Sequence, residues 1–206
     1  IMEIDERDKT QEENRIKRTI DIHEAARFAN YLLLFSVLIL VPPFLWMWWG
    51  KITYSFFDFT PYMDNTLHWI LNLSIFPIVL ILGLLFHEIL HAIAWIPFAS
   101  KGLKSIRLGV LKETMTPYCH CNEPLRIKHY LIGALTPAFV LGVLPLIFAF
   151  ITGYLPVFIF GLLLWVGATG DFMITHYLLK ENDLDAWVQD HPSEPGYYIL
   201  KSVDGQ

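Results

Sequence analysis

Residues 78–96 read IVLILGLLFHEILHAIAWI, and this stretch decides the fold class: it is apolar enough to cross a bilayer, yet it carries His87-Glu88-Ile89-Leu90-His91 inside it. On a helix, histidines four residues apart project from one face, about 6 Å apart along the axis, and can grip one ion. Glu88 lies one residue round from His87, where its carboxylate can work on a water instead of ligating the metal. An ionisable side chain at the centre of a span costs roughly 2.5–3.5 kcal/mol on insertion scales, so such groups are usually kept for function.

The rest of the chain supports a membrane setting. Of its 206 residues 54% are hydrophobic and only 17% charged, and the mean hydropathy is +0.44; a soluble domain of this length rarely looks so apolar. Four stretches reach the roughly 20 apolar residues that a hydrocarbon core requires: 28–49, 75–98, 131–152 and 155–179. The expected fold is an all-α membrane protein, a four-transmembrane-helix bundle. Pro77 is expected to divide the run before the motif into an outer interfacial segment and a kinked crossing helix.

Lys and Arg number six before the first span, one in the first loop, six in the second, none in the third and two after the last. By the positive-inside tendency both termini and the second loop face the cytoplasm. This divides the chain into a cytoplasmic segment 1–27, a four-span domain 28–180 that includes the cytoplasmic loop 100–130, and a cytoplasmic tail 181–206. The polar opening does not read as a cleavable secretory signal, so the first span is expected to remain in the mature protein. Trp46, Trp48 and Trp49 fit an interfacial aromatic belt, and the aromatic-rich loop 50–67 fits packing at the outer interface. A formal net charge of -5 leaves no footprint for nucleic acid.

In the second loop, Ser105-Ile106-Arg107-Leu108-Gly109-Val110 alternates with the period of a strand, and a second extended segment is expected around 114–121. A small cytoplasmic β-hairpin between helices two and three would lie beside the inner end of span two. Its free edge could guide an extended substrate, or the hairpin could only cap the bundle.

Two histidines do not complete a catalytic zinc site, which takes three protein ligands and leaves a fourth position for water. Asp171 is the best third candidate: it is the only carboxylate in span four and follows Gly167-Ala168-Thr169-Gly170, whose small side chains permit close helix approach. At 1.5 Å per residue, His91 lies about 15 Å from Lys101 and Asp171 about 13.5 Å from Lys180, so the two share a depth in parallel spans. His176 lies about 140 degrees round the helix from Asp171 and reads as an interfacial histidine. Cys119, His120 and Cys121 lack the usual structural-zinc spacing and fit contact with the mouth of the site better than a second metal centre. Asn122, Glu123 and His129 read as solvated loop residues.

Together these features resemble small bacterial membrane proteins grouped as "putative zincin peptidases", similar in layout to site-2-type intramembrane zinc metalloproteases. The likeness is carried by His87-Glu88-Ile89-Leu90-His91, by Thr116-Pro117-Tyr118-Cys119-His120-Cys121, by Gly170-Asp171, and by Asp190-His191-Pro192 with Gly196-Tyr197, over roughly residues 80–200. It implies that His87, His91 and Asp171 are zinc ligands and Glu88 the general base, with Asp190 and His191 structural. Here Phe172 follows the span-four acid, where site-2-type enzymes typically have glycine.

The expected activity is metal-assisted hydrolysis of a peptide bond by a Zn²⁺ metallopeptidase, in or near the bacterial cytoplasmic membrane. The expected partners are the lipid bilayer and a membrane-associated protein or peptide substrate, with no nucleic acid. A helical substrate must unwind first, because its carbonyls are hidden in hydrogen bonds. Two other classes share some of these features: an inactive zinc-binding membrane scaffold and a metal-handling protein, the latter weakened by the lack of a second intramembrane acidic pair.

Overall fold

The computed structural model describes residues 15–19, 21–52, 65–111, 116–181, 183–191 and 196–200. The aromatic residues 54–62 of the first loop lie outside them.

Helix α1 (Ile22–Met47) is capped by Asp21, whose carboxylate accepts the backbone N–H groups of His23 at 2.7 Å and Glu24 at 3.3 Å; such a cap satisfies donors that the first helical turn cannot. Helix α2 (Asn65–Trp95) runs unbroken through Pro77, so the expected division there is not seen. The missing N–H of a proline removes one helical bond, a loss that neighbouring groups in a long apolar helix can absorb. Helix α3 (Ile127–Pro137) continues through a π-helical turn, Ala138–Val143, into α4 (Leu144–Thr152), so that one span carries an irregularity near its middle.

The fourth apolar run is not one straight helix. It forms α5 (Leu155–Gly167) and α6 (Thr169–Leu178), bent by 44°. The bend lies at Ala168, where ψ reaches 15° and the Thr169 hydroxyl donates to the Val166 carbonyl at 2.5 Å, replacing part of the interrupted ladder. Among the described residues three helices are long and apolar enough to cross a membrane, or four if the bent pair is one span. That fits a membrane protein.

Close packing between spans depends on glycine at particular points. A Cβ on Gly142 would stand 3.1 Å from the Trp165 backbone, and one on Gly161 would stand 3.0 Å from the Gly142 carbonyl, so α5 approaches the third span as only small residues allow. Gly167 and Gly170 behave differently from the expectation: a Cβ on either meets nothing within 4 Å, so they leave open space and bring no helices together.

An all-α description is too narrow. Strands β2 (Ile106–Leu111) and β3 (Thr116–Cys121) pair antiparallel, in the register Arg107 to His120 and Gly109 to Tyr118, between the second and third apolar helices. A second sheet joins the two ends of the chain: β1 (Arg15–Thr19), β4 (Leu125–Arg126), β5 (Trp187–Asp190) and β6 (Gly196–Leu200) lie in the antiparallel order β1-β6-β5-β4. Val188, Tyr197 and Ile199 from this sheet share one buried cluster with Trp95 of α2, Ile127, Tyr130 and Ala134 of α3, and Leu178 of α6. The sheet is thereby fixed against the ends of three helices, close to the histidine motif.

Candidate metal centre

Helix periodicity puts His87 and His91 on one face of α2, their ring centroids 4.8 Å apart and both rings buried. Asp171 reaches them from the first turn of α6, just past the bend. Its Oδ2 lies 3.1 Å from His87 Nε2 and its Oδ1 3.4 Å from His91 Nε2. One donor atom from each of the three residues lies within 4.8 Å of the others, the only such His, Cys or carboxylate group among the described residues.

These separations fit a metal. Bonds of 2.0–2.1 Å in a tetrahedron put neighbouring donor atoms about 3.3 Å apart; each histidine nitrogen has one Asp171 oxygen at about that distance, a different oxygen for each, and the set of three donors closes to within 4.8 Å. The set of two imidazoles and one carboxylate also suits zinc chemically. His91 Nδ1 lies 2.9 Å from the Gly133 carbonyl; since a carbonyl can only accept, Nδ1 carries the proton and Nε2 keeps its lone pair toward Asp171. The His91 ring stacks on Trp95 at 5.2 Å, and Trp95 Nε1 donates to the Tyr130 carbonyl at 3.0 Å. Nothing in the side chains of Gly133 or Tyr130 announced this support, because both contribute backbone oxygens.

Glu88 is half-buried, and its carboxylate lies beside the backbone N–H of Cys119 on β3. The motif helix and the two-stranded sheet are joined through this contact. The pocket they enclose measures about 300 Å³; His87, Glu88, His91 and Asp171 line it together with Cys119 and His120. Gly167 and Gly170 leave its wall open beside Asp171.

Behind β3 lies a buried polar knot. Asp190 accepts the Tyr130 hydroxyl on Oδ1 at 2.5 Å and the Cys121 N–H on Oδ2 at 2.8 Å, and His120 Nδ1 stands 3.8 Å from Oδ2. Burial holds the Asp190 carboxyl above the ordinary carboxylate range, outweighing His120 and the two donors. Burial also pushes the Cys121 thiol up to about 11 and the Cys119 thiol further. Both cysteines are free thiols, and among the described residues they join no metal-ligating group.

The remaining candidates lie away from the centre. His176 is exposed. His129 stacks on Phe98 at 4.2 Å, and Glu123 accepts the Ser100 hydroxyl at 2.6 Å, fastening the start of the second loop.

Residues 80–183, half of the chain, match a family profile described as "Putative zincin peptidase". No curated protein and no solved structure matches the chain.

Proposed function

The chain belongs to the "Putative zincin peptidase" family, and from that premise we propose that it is an integral membrane zinc metallopeptidase that hydrolyses peptide bonds in or near the bilayer. The observation that carries this reading is the convergence of His87, His91 and Asp171 on one point, with Glu88 on the wall of the same pocket.

In this reading the His87 and His91 Nε2 atoms and the Asp171 carboxylate would hold the ion. Zinc, when bound, supplies Lewis acidity toward a scissile carbonyl and a water. Glu88 would take a proton from the attacking water as the water oxygen bonds to the carbonyl carbon and the carbonyl π pair moves onto the carbonyl oxygen. When the C–N bond breaks, Glu88 returns the proton to the leaving nitrogen. The Cys119 N–H steadies the Glu88 carboxylate between these transfers, and the Gly133 carbonyl keeps His91 in the ligating tautomer. The substrate class is a membrane-associated protein or peptide, presented unwound at the pocket, where the nearby edge of β3 could hold it extended. The proposed setting is a bacterial cytoplasmic membrane with both termini and the β2–β3 sheet on the cytoplasmic side, as the Lys and Arg distribution favours.

The test is metal content by elemental mass spectrometry of the detergent-purified chain, beside hydrolysis of fluorescently labelled casein. Near-stoichiometric zinc is expected in the wild type and in Glu88→Gln, and is lost in His87→Ala and Asp171→Ala; hydrolysis is expected only in the wild type. A wild type that takes up no metal after reconstitution with zinc would sink the reading. Metal without Glu88-dependent hydrolysis would point to a scaffold.

A further inference from the structure

Strand β2 and the turn before it leave large aliphatic side chains uncovered outside the apolar helices. Leu103 is 72% exposed, Leu108 56% and Val110 52%. Leu108 and Val110 alternate on one face of β2, and Arg107, on the other face, is exposed as well. The base of this sheet is firmly held: Ser105 is buried, Ile106 packs on the core, and the Asn122 N–H donates to the Ser105 carbonyl at 2.8 Å. The exposed face is therefore a built surface.

Two further features indicate what covers it. The candidate span Leu73–Phe98 ends only five residues before Leu103, and its exposed Ile89, Ile93 and Phe98 carry an apolar band to that point. Lys104 and Arg107 stand exposed beside the aliphatic residues, and among the described residues neither makes an ion pair, whereas Lys101 is paired with Glu123 at 3.7 Å and Arg126 and Lys128 with Asp185. Aliphatic side chains next to unpaired cations, at the end of a span, match the boundary between acyl chains and anionic headgroups.

We propose that the β2–β3 sheet is a lipid-binding element, with Leu103, Leu108 and Val110 in the upper acyl region of the leaflet at the inner end of α2, and Lys104 and Arg107 on anionic phospholipid headgroups. Seated there, the sheet holds the Cys119 amide, and with it the Glu88 carboxylate, at a fixed depth, so the pocket is served by segments lying at the interface. The inference rests on the membrane reading above and is separable from it by experiment.

The full chain, in a Cys119→Ala/Cys121→Ala background, is placed in nanodiscs of phosphatidylcholine alone or mixed with phosphatidylglycerol. An environment-sensitive fluorophore is attached at Leu108→Cys, with Leu38→Cys on exposed α1 and Asp183→Cys in the last loop as references. Nitroxide lipids are expected to quench the Leu108 label several-fold more than the Asp183 label, and more strongly in anionic discs. Lys104→Gln/Arg107→Gln or high salt should bring that increment back to the neutral-disc level. A Leu108 label as unquenched as the Asp183 label, while Leu38 is quenched, overturns the proposal and leaves the membrane reading standing; an unquenched Leu38 removes the membrane reading itself. A Leu108 label shielded from water but untouched by nitroxide lipid means that a protein segment covers the strand, and equal quenching in both discs removes the headgroup assignment; either result overturns the proposal.

Discussion

His91 Nδ1 donates its proton to the carbonyl of Gly133 at 2.9 Å, and Gly133 is also where α3 comes so near to α2 that a single methyl group would overlap the Trp95 indole at 1.9 Å. The residue that orients the histidine is thus the residue that permits the helix approach. Trp95 completes the arrangement, stacked on His91 and donating to Tyr130.

Gly133→Ala therefore keeps the carbonyl but displaces the ring against which His91 rests. Overpacking of this kind costs about 1–3 kcal/mol, and the backbone shift that relieves it draws the retained carbonyl away from His91 Nδ1; since removing such a partner altogether lowers metal affinity by roughly 10- to 100-fold, a loss up to that size is expected. Competition for zinc against a chromophoric chelator is expected to show that loss with Glu88 untouched. Unchanged affinity would mean that Gly133 only packs.

Bound metal should also stabilise the fold, because the three donors come from α2 and α6, which are 80 residues apart between His91 and Asp171. At a free zinc concentration 100 times the dissociation constant the gain is about 2.7 kcal/mol. The thermal midpoint in detergent should rise with zinc for the wild type and Glu88→Gln, fall on addition of a chelator, and stay put in His91→Ala and Asp171→Ala. A rise of equal size in those two variants would place the ion elsewhere.

The two thiols give a probe of the sheet beside the pocket. With the Cys121 thiol pushed up to about 11 by burial, and Cys119 higher, little thiolate is present at pH 8, and native-state alkylation by iodoacetamide is expected about a hundredfold slower than in the unfolded chain. Peptide mass spectrometry after timed labelling reads this directly. Fast labelling of Cys121 would show that the base of β3 opens in the native state.

What was legible in the sequence follows from which residues carry side-chain chemistry at a regular period. The four-residue spacing of His87 and His91 survives any choice of helix ends, and a lone acid in an apolar run marks Asp171. The bend next to it was not legible, since Gly167-Ala168-Thr169-Gly170 reads equally well as a close-packing surface; only the open space around both glycines distinguishes the two. The four-stranded sheet was hidden for a different reason. Asp190 occupies an inward position of β5, which spoils the apolar alternation of Trp187-Val188-Gln189-Asp190, and the pairing of Arg15 with Leu200 joins opposite ends of the chain.

That inward carboxylate yields the last prediction. Asp190 is raised from the ordinary value of 3.8 by burial, so the folded state binds its proton more tightly than the unfolded chain does. The stabilisation from the protonated form is complete below about pH 3.8 and is lost as pH rises through the raised native value. Asp190→Asn cannot titrate there, so the midpoint of the wild type relative to Asp190→Asn should fall across that window and level off above it. Asp190→Ala should be less stable throughout, since the Tyr130 hydroxyl and the Cys121 amide each lose an acceptor, at about 1–3 kcal/mol per unsatisfied group. A pH series of thermal midpoints in detergent separates the two effects: a flat difference between the wild type and Asp190→Asn would show that Asp190 keeps its ordinary titration, while an Asp190→Ala midpoint equal to wild type would show that the knot behind β3 holds nothing in place.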